Sequence, residues 1–297
     1  MPMQTSALLL VLAALLPGAA QAAPADLRAE ILRKINAERQ RAGAPPLRLL
    51  RPLVEVAQQH AEEIAVSGRV QLPRGSEREV EQWMRRAGYN AHRWTESVVS
   101  SPADIDELVR DWRVRNRSIW ATVLSPEIRD VGIGVARMNG IPLYAFLFAV
   151  PEAEHFSQST RGLGDLSRVR AEMLAQVNAQ RRKAGAPPLS LNADLQEAAQ
   201  AHAQDMLARG FFDHKSPSGT TVRERSRKAG YDWRTIGENI AEGQKSVTEV
   251  VTTWMNSKGH RENILNPAFR ELGIGLVLGK GRDGEYRVIW VQNFGAQ

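Results

Sequence analysis

No cysteine occurs among the 297 residues, which excludes disulfides, thiolate metal sites, a cysteine nucleophile and an acylated N-terminal cysteine. Histidine is scarce as well, with six in the chain, so each one can be weighed individually. Long hydrophobic runs are missing too: beyond the N-terminus nothing approaches the ~20 apolar residues that span a bilayer. The one apolar run, Ser6 to Leu16, ends in Pro17-Gly18-Ala19-Ala20-Gln21-Ala22. Its small residues at Ala20 and Ala22 suit a signal peptidase. Residues 1–22 therefore read as a signal peptide and the mature protein as exported, either periplasmic or secreted, with no transmembrane segment.

What is present is an ordinary globular composition, 43% apolar and 24% charged, at a length that allows about two domains of ~100–150 residues. The formal charge of +6 and a pI near 9.9 favour an anionic surface as a partner. The arginines are interleaved with acids, as in Arg223-Glu224-Arg225, which reads as a solvated face rather than a nucleic-acid stripe.

The chain carries one unit twice. Asn36 and Asn178, His60 and His202, Glu96 and Glu238, and Trp112 and Trp254 all recur at an offset of 142 residues. At the same offset His214 meets Leu72 and His260 meets Ser118, so two histidines survive in the second copy only, and chemistry is expected there. Each copy opens with apolar residues at helical spacing, ended by Gly43-Ala44-Pro45-Pro46 or Gly185-Ala186-Pro187-Pro188. A second amphipathic helix follows, carrying Leu195, Ala198, Ala199, His202 and Met206 in the second copy. Val222 to Gly230 reads as a short helix and Ser246 to Ser257 as a longer one. Each copy closes on a hairpin; that of the first turns at Asn139-Gly140, a pair suited to a type I′ turn. Helices around a small antiparallel sheet give an α+β layered fold. The expected boundaries are 23–150 for a degenerate first domain, 151–166 for a linker of turn-forming residues, and 167–297 for the second domain.

The runs Phe211-Phe212-Asp213-His214, Gly237-Glu238-Asn239-Ile240-Ala241-Glu242-Gly243, Trp254-Met255-Asn256-Ser257-Lys258-Gly259-His260-Arg261 and Glu271-Leu272-Gly273-Ile274-Gly275 resemble the CAP superfamily. That group takes in cysteine-rich secretory proteins, antigen-five allergens, plant pathogenesis-related proteins and bacterial SCP-domain proteins. The resemblance implies two tandem α-β-α sandwiches. It also implies a cleft where His214, Glu238 and His260 converge, and it associates the family with divalent cations, with lipid or sterol binding and with proteolysis. The family's second glutamate falls at Ser257 here, so the set is incomplete.

The residues themselves allow several functions. His214 precedes a loop-like Lys215-Ser216-Pro217-Ser218-Gly219 and is read as a site residue. His260 is placed at the end of the Trp254 helix, where it could serve the helix dipole. Together the two imidazoles make a partial site for a divalent ion such as zinc, open and weakly binding, with Glu238 orienting an imidazole or acting as base. Asn239 is expected to bridge backbone groups across the cleft or to contact ligand. His202 and its counterpart His60 read as hydrogen-bonded core histidines, His92 and His155 as surface histidines in loops. Trp94 and Trp120 put extra aromatic surface at the corresponding place in the first copy, which implies a collapsed or apolar cleft there. The leading reading is a cleft for a metal ion or small ligand, with the first domain as scaffold or protein-interaction surface. Metal-assisted hydrolysis of a peptide or wall polymer, with Glu238 as base, and lipid or sterol binding are the alternatives.

Overall fold

The computed structural model describes residues 24–68, 76–100 and 104–297. The proposed leader lies outside them, and no helix among the described residues is long and apolar enough to cross a membrane. The chain divides into two compact units, residues 1–155 and 156–297.

Unit 1 runs α1 (Pro24–Arg41), β1 (Arg48–Leu49), α2 (Arg51–Ser67), α3 (Ser76–Arg86), β2 (Ala91–Ser100), α4 (Ile105–Arg115), α5 (Arg117–Leu124), β3 (Asp130–Met138) and β4 (Ile141–Pro151). The segment expected to be a turn-rich linker is instead largely helical. It holds α6 (Glu152–Ser159) and a 3₁₀ turn, Arg161–Leu163. Glu152 and Glu154 in the first turn of α6 favour the helix dipole, and the boundary between the units falls inside this helix. Unit 2 follows with α7 (Leu166–Lys183), β5 (Ser190–Leu191), α8 (Ala193–Arg209), α9 (Val222–Lys228), β6 (Thr235–Glu242), α10 (Val247–Asn256), α11 (Lys258–Leu265), β7 (Glu271–Lys280) and β8 (Tyr286–Ala296).

Each unit has a four-stranded sheet of the same topology, β1-β3-β4-β2 and β5-β7-β8-β6. The two-residue edge strand is parallel to its neighbour and the remaining pairs are antiparallel. The expected hairpins are β3/β4 and β7/β8, and Asn139 (φ 52°) with Gly140 (φ 81°) has the left-handed backbone of a type I′ turn. Sequence periodicity did not reveal β2 and β6 as strands, yet β6 carries Glu238 and Asn239.

Alternation along the strands separates two cores in unit 2. Ile274, Leu276, Trp290 and Phe294 pack with Val169, Met173, Val177 and Trp254 of α7 and α10, while Ile240, Ile289 and Val291 pack under Ala199, Ala203 and Met206 of α8. Helix, sheet and helix thus form three layers. The Gly-x-Gly of β7 sets the spacing of one layer. A Cβ on Gly273 would lie 2.1 Å from the Leu195 carbonyl carbon, and one on Gly275 2.3 Å from the Ala199 carbonyl oxygen. Only glycine lets α8 lie this close to the sheet. Gly132 and Gly134 do the same against α2.

Both units also bury an arginine that the sequence did not mark. Arg181 of α7 is fully buried and donates to the carbonyls of Pro187 (2.6 Å), Ile264 (2.7 Å), Asn266 (2.9 Å) and Phe269 (3.1 Å). It thereby fixes the chain leaving α11. Arg39 repeats this with Pro45, Val123, Ser125 and Ile128, and burial pushes its guanidinium down to about 10.

Candidate functional site

The second unit's site is built from a loop, a strand and two short helices. Helix α8 stops at Gly210, whose φ of 70° is left-handed, and the chain enters the loop 211–221. Asp213 turns this loop by accepting from the Lys215 amide at 2.8 Å. Ser216, itself buried, braces it by accepting from the Thr220 amide at 3.1 Å and bonding Ser218 at 2.9 Å. His214, at the apex, keeps 56% of its side chain exposed. Its Nδ1 lies 2.9 Å from Glu238 Oε1. Because a carboxylate only accepts, Nδ1 is the protonated nitrogen and Nε2 is left free to act outward.

Glu238 projects from β6 with 2% of its side chain exposed. Its second oxygen accepts from Arg225 Nη2 at 2.6 Å. Arg225 also donates to the carbonyls of His214 (3.1 Å) and Thr220 (2.9 Å), so one guanidinium holds both the carboxylate and the histidine loop. Its direction is set by α9, whose capping box joins Thr221 and Glu224 and aims the next residue at the cleft. The Arg223-Glu224-Arg225 run is therefore not wholly solvated as expected: Arg225 keeps 10% of its side chain exposed. Asn293, with its amide nitrogen toward Glu238, donates to the same Oε2 at 3.2 Å.

Beneath them lies His202. It is buried as expected, and Nε2 donates to the Asp213 carbonyl at 3.0 Å, leaving Nδ1 unprotonated and without a partner. It is not merely core, because Nε2 stands 4.0 Å from Glu238 Oε1. Burial holds the imidazole below its ordinary 6.5 despite that carboxylate.

His260 differs from expectation. Helix α10 ends at Asn256, and Ser257 is extended (φ −96°, ψ 124°). His260 therefore lies in the first turn of α11, where the dipole disfavours a cation. Burial, then the nearby His214, lower its pKa, and its Nδ1 is buried without a partner. Asn239, fully buried, ties this turn to the sheet by donating to the His260 carbonyl at 3.1 Å and accepting from Asn263 at 2.9 Å. The hydrogen bond to Glu238, followed by that carboxylate's charge, outweighs desolvation and raises His214 above 6.5. The two imidazoles are thus pushed in opposite directions.

Unit 1 shows what has been lost. Glu96 is equally buried and bonds His60 instead. Trp83 stands at the position of Arg225 and sets its ring edge to His60 at 6.1 Å. Helix α4 is one residue longer than α10, so, counting from the caps Asn116 and Ser257, His260 corresponds to the buried Ile119 rather than to Ser118. Leu72, opposite His214 in sequence, lies outside the described residues. Trp94 is largely collapsed into a core cluster with Val80 and Met84 while one part of it still lines a groove beside Ser118, and Trp120 packs against the core of α1 and α4. That groove, about 330 Å³, is mixed in character, with Trp94, Ala121 and Ile128 beside Arg93, Thr95 and Thr122. His92 and His155 are not isolated loop residues: they lie in β2 and α6 with rings stacked at 3.4 Å.

The model of the CAP family, described as the cysteine-rich secretory protein family, matches residues 32–147 and 174–294, and the chain belongs to that family in two tandem copies. It is 39% identical over 142 residues to the uncharacterized protein YkwD of Bacillus subtilis (strain 168), a match covering 48% of this chain and 52% of that one. With the uncharacterized membrane protein YlbC of the same strain it shares 31% over 105 residues, 35% of this chain and 30% of that one. The chain thus spans about half or less of these relatives' lengths. Among solved structures, an extracellular SCP-domain protein from Bacillus anthracis str. Ames aligns at TM-score 0.39 and 21% identity over 56% of this chain and 60% of that one. An outer surface protein of Borrelia burgdorferi aligns at 0.39 and 25%, over 45% and 96%.

Proposed function

We propose that the protein is exported and that unit 2 is its ligand-binding domain, taking a divalent cation or a small polar ligand on His214 and His260. The observation that carries this is the division of labour around Glu238. One oxygen orients His214 through Nδ1 and the other is held by Arg225, so the carboxylate is an orienting group and the exposed Nε2 is the reactive one. Export is supported by the leader-like sequence before Ala23, an apolar run closed by small residues.

The donor set fits an open divalent site. A carboxylate-oriented imidazole is a common metal ligand, and burial keeps His260 neutral and able to donate a lone pair. No group of three or more metal-ligating side chains stands together among the described residues, so solvent or ligand would complete the shell. A bound ion would supply Lewis acidity. Without an ion, the same residues hold a proton donor at His214 and an acceptor at His260, the arrangement that separates acid from base in many sites.

The test is a calorimetric zinc titration of the full chain beside a His214→Ala/His260→Ala variant. Saturable binding lost in the variant supports the reading. Equal or absent binding in both would overturn the metal reading, and lipid binding through an apolar surface that persists in the variant would favour the lipid reading.

A further inference from the structure

A groove of about 460 Å³ runs between α1 and α4 in unit 1. Arg33, Lys34 and Arg41 form one wall, Arg110 and Arg113 the other, and Ala37 with Val109 contribute apolar surface between them. The two acids on the walls are already engaged: Asp106 lies 2.6 Å from Lys34 Nζ, and Glu38 bonds Arg41. Glu30 lies 3.5 Å from the same lysine, and Asp111 on α4 pairs with Arg115. Arg33, Arg110 and Arg113 are exposed and make no ion pair among the described residues. Asp106, held below the usual carboxylate range first by Lys34, also feels Arg110 and Arg33, which places charge from both walls about one point.

The fold does not need these arginines. Unit 2 keeps the corresponding Ala179 and Val251, but it has Ala175, Thr252 and Met255 where unit 1 has Arg33, Arg110 and Arg113. The cross-helix contact made by Lys34 and Asp106 is replaced there by a neutral one, Gln176 to Thr248 at 2.9 Å. Like charges on one helix face oppose folding, so the cluster costs stability that a bound anion would offset.

We propose that this groove binds a soluble, linear oligoanion of the phosphate type, gripped by Arg33 on one wall and by Arg110 and Arg113 on the other. Phosphate is favoured over carboxylate because its tetrahedrally spread oxygens can meet forked guanidinium donors from two walls at once, whereas a carboxylate presents two oxygens in a single plane. A groove charged on both sides admits a narrow chain and not a flat bilayer. Its lining contains no aromatic ring on which a nucleobase would stack.

The experiment is calorimetry of the full chain with sodium tripolyphosphate at low ionic strength. Saturable binding is expected, weakened at least tenfold in R110Q/R113Q and severalfold in R33Q on the opposite wall. It should be unchanged in R223Q/R227Q, which alters the arginines flanking Trp233 in unit 2. All these positions are solvent-facing, and thermal melts verify folding. Affinity that survives in R110Q/R113Q and R33Q would overturn the assignment. So would equal affinity for oligoglutamate, or binding only to phosphatidylglycerol vesicles and not to tripolyphosphate.

Discussion

Glu238 is a buried carboxylate whose behaviour is decided by its neighbours. Arg225 compensates its charge, and removing one partner of a buried ion pair is costly because the other is left uncompensated. Arg225→Gln is therefore expected to destabilise unit 2 by roughly 3 kcal/mol, read from urea unfolding, whereas Arg223→Gln, a few residues away and on the surface, should change little. A neutral effect of Arg225→Gln would remove the guanidinium from the account. The raised pKa of His214 has a definite sign in stability. Folding favours the protonated ring, so its contribution is complete below the ordinary 6.5 and disappears as pH rises through the raised value. His202 and His260 act oppositely, since their lowered values favour the neutral ring and withdraw stability as pH falls through them. Glu238→Gln should abolish the His214 contribution, flattening the stability profile just above pH 6.5, and should lower His202 further, because the same carboxylate raises it. Arg225 also shows how far residue identity alone can mislead. Between a glutamate and a serine it has the composition of a solvated face, and only its alignment with Trp83 across the repeat singles it out. An aromatic-for-arginine change that accompanies loss of both histidines was the available signal.

At the scale of elements, the helices with strong stop signals and the two hairpins were legible, because glycine, proline and period-two alternation act locally. The strands β2 and β6 were not. In β6, Gly237, Glu238 and Asn239 interrupt any apolar alternation, since this strand spends its side chains on the cleft and on a buried amide network with Asn263 and Gln292. The split of the late helix into α10 and α11 was hidden for a related reason. A single extended residue, Ser257, makes the break, and serine is compatible with either state. The role of Gly273 and Gly275 lay outside local reading altogether, because it depends on helix α8, far earlier in the chain. Gly273→Ala would drive a methyl into the Leu195 backbone; backbone cannot yield as a flexible side chain does, so a loss above about 4 kcal/mol is expected, seen as a collapse of the thermal transition or insoluble expression. Gly259→Ala, whose added methyl meets nothing within 4 Å, is the matched control and should be tolerated.

Across the whole molecule, one scaffold occurs twice with its polar centre retained in one copy and reduced in the other. The shared frame includes the buried arginine, the Gly-x-Gly strand and the helix histidine facing a strand glutamate. It explains why Glu96 and His60 persist where His214, Arg225 and His260 have been replaced: the glutamate and histidine satisfy one another. Function should follow the same division. Zinc is expected to bind once per chain rather than twice, and His60→Ala in unit 1 should leave that stoichiometry unchanged. The most direct test of the central claim is a histidine-resolved NMR pH titration of the full chain. His214 is expected to titrate above 6.5 and His260 below it, and Glu238→Gln to lower His214. Ordinary, unsplit values for both rings, unaffected by Glu238→Gln, would contradict it.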